Sequence, residues 1–133
     1  MKDEDFKKVL TAEQYRVMRQ QGTEQPFTGK YLKHNKSGVY KCAACGSTLF
    51  QSSQKYESND IGLAGWPSFS DVADSKAVIL KEDKSLGMDR IEVVCKNCGS
   101  HLGHLFDDND SPTKKHYCIN SCALNFSMSH SKN

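Results

Sequence analysis

The thiols of this 133-residue chain fall into two kinds by spacing. Four of the six cysteines form two C-x-x-C pairs, Cys42 and Cys45 in "CAACG" and Cys95 and Cys98 in "CKNCG". A C-x-x-C turn aims two sulfurs at one point. The glycine after each pair, Gly46 or Gly99, takes a positive φ at no steric cost, so backbone N–H groups can turn toward the sulfurs. Two such turns together offer four thiolates, which suits tetrahedral Zn²⁺, with iron the alternative for a four-sulfur set. The 49 residues between Cys45 and Cys95 exceed a compact zinc finger, so the metal would tie two distant hairpins together. The competing reading is a thioredoxin-type redox dithiol, which goes with a βαβ pattern that this sequence lacks.

The other two thiols, Cys118 and Cys122, lie in "HYCINSCALNF". Just upstream is "CGSHLGHLFDD", with His101, His104, Asp107 and Asp108. Further back is "GLAGWPSF", with the only tryptophan, Trp66, and Phe69. A free cysteine with histidines elsewhere in the chain is a candidate nucleophile. The thiolate is the reactive form, and a nearby His⁺ or Arg favours it. The bland alternative is equally physical: a cysteine packed as a small hydrophobe, locally bonded loop histidines and a core tryptophan. Residue types and spacing leave both open.

These groups need a scaffold. "LTAEQYRVMRQQG" reads as a helix, with Thr11 and Gln14 spaced for a capping box, Leu10 and Tyr15 for a hydrophobic staple, and Gly22 as the stop. "TEQPFTGKYLKHNKSG" reads as an extended arm with turns. Beyond Gly38 come short β-leaning runs, "VYKC", "STLF", "KAVIL", "RIEVVC" and "HYCIN", parted by polar or glycine-containing stretches. That texture predicts a mainly β, antiparallel body. In "RIEVVC" the two-residue period puts Ile91, Val93 and Cys95 on one face. "DDNDSPTKK" reads as an exposed turn before the last strand.

Composition bounds the rest. Hydrophobic residues at 37% and charged residues at 26% describe a globular chain of one domain. A net charge of +2 gives no electrostatic case for nucleic acid. The longest apolar run, Ala77 to Leu80, is too short to cross a membrane, and "MKDEDFKKVL" is no secretory signal. Thiols kept free or on metal fit a reducing, cytoplasmic compartment.

Read in order, "LTAEQYRVMRQQGTEQPFTGKY", "YKCAACGSTLF", "GWPSF", "GMDRIEVVCKNCGSHLGHLFDD" and "HYCINSCALNF" resemble the R-specific, B-class methionine sulfoxide reductases. The resemblance runs from about Leu10 to Phe126. It implies one reductase domain over 1–133, with its core at about 10–126. The implied fold is two antiparallel sheets, tent- or barrel-like, with N-terminal helical decoration and a structural zinc on Cys42, Cys45, Cys95 and Cys98. The implied activity is reduction of the R epimer of methionine sulfoxide, mainly in peptides and proteins, through a cysteine sulfenic acid. A thioredoxin or small thiol would regenerate the cysteine, and the protein would act as a monomer. Residue by residue, the resemblance makes Cys118 the nucleophile. His101, His104, Asp108 (or Asp107) and Asn120 join it in catalysis. Trp66, Phe69, Phe106 and His116 become substrate contacts, with Trp66 cradling the methyl group.

The sequence departs from that pattern twice. Arginine usually stands two residues before the nucleophile, where this chain has His116. Arginine is always charged and histidine only in part, so thiolate stabilisation becomes pH-sensitive. Many members carry a resolving cysteine just before "GWPSF", where this chain has Ala64. Cys122 is a poor substitute: on an extended strand it would lie about 13 Å from Cys118, far beyond disulfide reach. It is therefore expected to be a packing residue. Two other functions remain to be weighed, a zinc-ribbon binding module without chemistry and a thiol redox sensor without a sulfoxide substrate. The ribbon gives no role to Cys118 or the histidines.

Overall fold

The computed structural model describes residues 3–60 and 62–128. Among these described residues, two short helices, α1 (Asp3–Val9) and α2 (Ala12–Gln20), precede nine strands. These are β1 (Gly38–Cys42), β2 (Thr48–Gln51), β3 (Lys55–Tyr56), β4 (Ser68–Phe69), β5 (Val78–Asp83), β6 (Arg90–Cys95), β7 (His101–Asp107), β8 (Lys115–Ile119) and β9 (Leu124–Met128). They form a three-stranded sheet, β2-β1-β9, and a six-stranded sheet, β3-β4-β8-β7-β6-β5, with every pairing antiparallel. The mainly β, two-sheet expectation holds.

Helix α2 starts where the sequence says. The Thr11 hydroxyl accepts from Gln14 N and the Gln14 side chain accepts from Thr11 N, a reciprocal capping box. Its end differs by one residue. Gln21, not Gly22, takes the left-handed conformation (φ 58°), and Gly22 N closes on Arg16 O. Glycine still fits at 22, because a Cβ there would lie 2.9 Å from that carbonyl oxygen. Helix α1 has no counterpart in the sequence reading. It buries Phe6, over whose ring the Arg19 guanidinium stacks at 3.9 Å.

The core gathers one face of each sheet. Phe50 stacks on Phe69 at 4.3 Å, Tyr40 meets Phe69 edge-on, and Leu49, Val93, Leu102, Ile119 and Leu124 fill in around them. Phe69 is fully buried here. The register of "RIEVVC" against β5 is unbroken, so Ile91, Val93 and Cys95 share one face as expected, though not one degree of burial. Val93 and Cys95 are buried, but Ile91 is exposed and its neighbour Glu92 is buried. Glu92 is buried with partners, His101 Nδ1 at 2.8 Å and the Gln21 side-chain amide. "HYCIN" is also not the last strand, since β9 follows it and completes the small sheet on β1.

Candidate active site and metal centre

Strand β8 runs between β4 and β7. Cys118 is therefore flanked by the "GWPSF" strand on one side and the "HLGHLF" strand on the other. It sits directly opposite Ser68 on β4 and His104 on β7, so all three side chains leave the same face of the sheet. Gly103 allows this close passage, because a Cβ there would fall 2.0 Å from Cys118 O.

The spacing of "HLGH" would put its two histidines on opposite faces of a regular strand. A register shift between β6 and β7 prevents that. Val93 pairs with Gly103 while Val94 pairs with His101, so Leu102 is the extra residue of a bulge. The two imidazoles then meet at 5.2 Å, ring centre to ring centre. The alternative of locally bonded loop histidines does not hold, since both lie on β7. The bulge is what brings both rings to one side.

Each histidine has its own carboxylate. His104 Nε2 lies 2.7 Å from Asp83 Oδ2, and His101 Nδ1 lies 2.8 Å from Glu92 Oε2. Gln21 Nε2 also donates to both Glu92 oxygens. Burial pushes the His101 pKa down, and Glu92 opposes this only in part. Asp83 is held well below the usual carboxylate range, first by the Ser85 hydroxyl and then by His104.

A cleft of about 220 Å³ opens over these groups, lined by Leu63, Trp66, Met88, His104, Phe106 and Cys118 among others. Arg90 and Asn120 also reach it. The Trp66 indole N–H donates to Glu24 O at 2.9 Å, which fixes the ring across the cleft. Cys118 is half-buried, and its thiol is pushed up to about 12 by burial and by the Glu24 and Asp60 carboxylates. The resting group is thus a thiol.

Other expected site residues fall elsewhere. Phe69 pairs with Tyr117 on the face opposite Cys118 and belongs to the core, so it touches no substrate in this cleft. His116 is fully buried, 3.2 Å from Asp108 Oδ2 but out of line for a hydrogen bond, and is not a cleft residue. Burial lowers its pKa, with Asp108 and Asp60 acting against that. Asp108 rather than Asp107 is the acid at this spot. It accepts from the Tyr56 hydroxyl at 2.7 Å, while Asp107 ends β7 exposed. Asn120 uses its side chain on the backbone, accepting from Glu24 N and donating to Leu102 O.

Glu24 was not anticipated. It is buried in the arm, and its carboxylate accepts from Ser121 N at 2.7 Å and Cys122 N at 3.0 Å. One residue thus braces both the tryptophan and the turn after the nucleophile. The lone acid of "TEQPFTG" was the available signal. Asp83, Glu92 and Tyr56 gain their partners among the histidines and Asp108, and Arg90 its partner Asp83, only in the folded sheet.

Cys122 does not continue β8. The strand stops at Ile119, and Ser121–Ala123 form a 3-10 turn. Cys122 lines a second cleft with Thr11, Gln14 and Lys30, and the two clefts share no lining residue.

The four paired cysteines converge as spaced. All four sulfurs lie within 4.8 Å of one another, with Cys42–Cys98 at 3.7 Å and Cys45–Cys95 at 3.6 Å. A tetrahedron with bonds of about 2.3 Å has edges of about 3.8 Å, so the cluster is compatible with a structural metal site. The two turns are built alike. Gly46 (φ 82°) donates to Cys42 O and Gly99 (φ 77°) to Cys95 O, while Ser47 and Ser100 hydroxyls sit beside Cys45 and Cys98.

The SelR domain family matches residues 10–128. A peptide methionine sulfoxide reductase MsrB of Methanosarcina barkeri is 59% identical over 124 residues, 93% of this chain and 84% of that protein. Another, of Leptospira interrogans, is 52% identical over 93% of this chain and 92% of its own. The mitochondrial methionine-R-sulfoxide reductase B3 of Mus musculus is 47% identical over 92% of this chain and 47% of its own. With the match spanning both sheets and both cysteine sets, this chain belongs to the SelR-domain family, that of the peptide methionine sulfoxide reductases MsrB.

Proposed function

We propose that this protein reduces the R epimer of methionine sulfoxide in peptides and proteins, with Cys118 as nucleophile. The observation that carries the reading is the shared cleft: one thiol, one carboxylate-backed histidine and one pinned tryptophan on the same face. A sulfoxide sulfur accepts a nucleophile when its oxygen is protonated or strongly hydrogen-bonded. His104 is the proton carrier for that oxygen. Trp66, Leu63, Met88 and Phe106 receive the apolar methionine side chain, helped by sulfur–aromatic attraction of about 0.3–1.5 kcal/mol. Fixing the methyl group on one wall and the oxygen toward His104 leaves one sulfur lone-pair arrangement open to Cys118, which selects one epimer. Attack forms a bond between the Cys118 sulfur and the sulfoxide sulfur. The oxygen then passes to the Cys118 sulfur as the S–S bond and the S–O bond to the methionine sulfur break, and the thiol proton ends on that oxygen. Methionine leaves, and Cys118 remains as sulfenic acid. Because burial keeps Cys118 protonated at rest, its proton must leave within the substrate complex rather than beforehand.

The sulfenic acid is reduced directly by a thioredoxin or a small thiol. Ala64 offers no resolving sulfur, and Cys122 faces another cleft. The four-cysteine cluster takes Zn²⁺ as a structural ion, which supplies cross-linking rather than chemistry. Residues 10–126 act as one catalytic unit, working as a monomer in a reducing compartment such as the cytoplasm, where all six thiols stay unpaired. No helix among the described residues is long and apolar enough to cross a membrane. The test is turnover of a peptide carrying separated R and S sulfoxides, with dithiothreitol as reductant. The R epimer alone should react, and Cys118→Ser should abolish it. Equal turnover of both epimers contradicts the reading.

A further inference from the structure

We propose that Asp83 is the positioning residue of the reaction, holding His104 in the one tautomer that leaves Nδ1 free to carry the proton between Cys118 and the sulfoxide oxygen. This deepens the reading above and rests on His104 as proton carrier. His104 Nε2 is committed to Asp83 Oδ2 at 2.7 Å. A carboxylate only accepts, so in the neutral ring Nε2 carries the hydrogen and Nδ1 carries the lone pair. Nδ1 is then the only ring nitrogen left to work on the cleft side. His104 stands directly opposite Cys118 across β7–β8, in the cross-strand position where side chains lie closest. Nδ1 can accept the Cys118 proton as the sulfur attacks and hand it to the departing oxygen. The proton count closes, because the thiol hydrogen becomes the sulfenic hydrogen and the ring returns to its starting form. While the ring is charged, the Asp83 carboxylate steadies it, as the acid of a Ser-His-Asp triad does.

Asp83 is itself held. Its Oδ1 accepts from Ser85 N at 3.0 Å and from the Ser85 hydroxyl at 2.6 Å, and its Oδ2 lies 3.6 Å from Arg90. Every one of these partners sits on the β5–β6 hairpin, whose tip also brings Met88 to the cleft. His101 is the internal contrast. It gives Nδ1 to Glu92 and leaves Nε2 buried without a partner. The two histidines therefore present opposite nitrogens, and only His104 lines the cleft.

The test has two arms. In the native enzyme, nitrogen-15 NMR of the imidazoles above the histidine titration range should show His104 protonated at Nε2. An Nδ1-protonated ring overturns the proposal whatever any variant does. In the second arm, Asp83→Asn offers an amide that can donate to Nε2 and so favours the other tautomer. It should lower kcat roughly 10²–10⁴-fold with KM changed less than about threefold, while Asp83→Glu restores at least a tenth of native kcat. A native kcat in Asp83→Asn, with His104→Ala inactive, sinks the role of Asp83 alone. Native activity in both variants sinks His104 as the proton carrier.

Discussion

At the scale of single residues, the sharpest feature is His116, at the position where the resemblance implies arginine. Two residues along β8 put His116 and Cys118 on the same face, about 6–7 Å apart along the strand. A fixed positive charge there would favour the thiolate. His116 cannot supply it near neutrality, because burial holds its pKa below the ordinary histidine range. It gains charge only as pH falls through that lowered value, and it loses charge as pH rises. Native enzyme and His116→Arg should therefore agree in the acid. The ratio of variant to native kcat/KM should climb as pH rises through a midpoint below about 6.5 and then level off. Superimposable profiles from pH 5 to 9 would show that position 116 is not coupled to the thiol.

At the scale of elements, the metal turns carry the next consequence. Cys42 ends β1 in the small sheet, and Cys95 ends β6 in the large one, so a bound ion staples the sheets together. Protein prepared without chelator should hold about one zinc per chain. Cys95→Ser should lose the zinc and destabilise the fold by about 3 kcal/mol or more, a modest share of the roughly 10–16 kcal/mol that structural zinc supplies to small metal-folded peptides. Elemental analysis finding no metal, with an unchanged Tm in the variant, contradicts this. These turns were readable in the sequence because C-x-x-C-G is a local pattern whose geometry does not depend on the rest of the chain. The Thr11–Gln14 cap was readable for the same reason. The "HLGH" strand was not, since its bulge exists only in register with β6. Nor was the burial of Glu92, whose partner His101 lies nine residues away. Helix α1 escaped because "DEDFKKV" carries one large apolar anchor, Phe6, and that anchor finds its partner on α2.

At the scale of the whole molecule, the two sheets divide the labour. The small sheet, the metal turns and the shared aromatic core form the frame, while the large sheet lays the tryptophan, thiol and histidine motifs side by side. The arm between α2 and β1 closes the assembly through Glu24, which bonds to Asn120, Ser121, Cys122 and Trp66 at once. Cys118 and Cys122 thus share a backbone turn but open to separate clefts. The central claim is that Cys118 alone takes the substrate's oxygen. It is tested most directly by intact mass after a single turnover without reductant, with the zinc cysteines left on metal. With the R epimer the protein should gain one oxygen, trapped by a sulfenic-acid reagent on Cys118, and with the S epimer its mass should not change. Loss of two hydrogens with a Cys118–Cys122 peptide on digestion, or no change with the R epimer, would contradict the account.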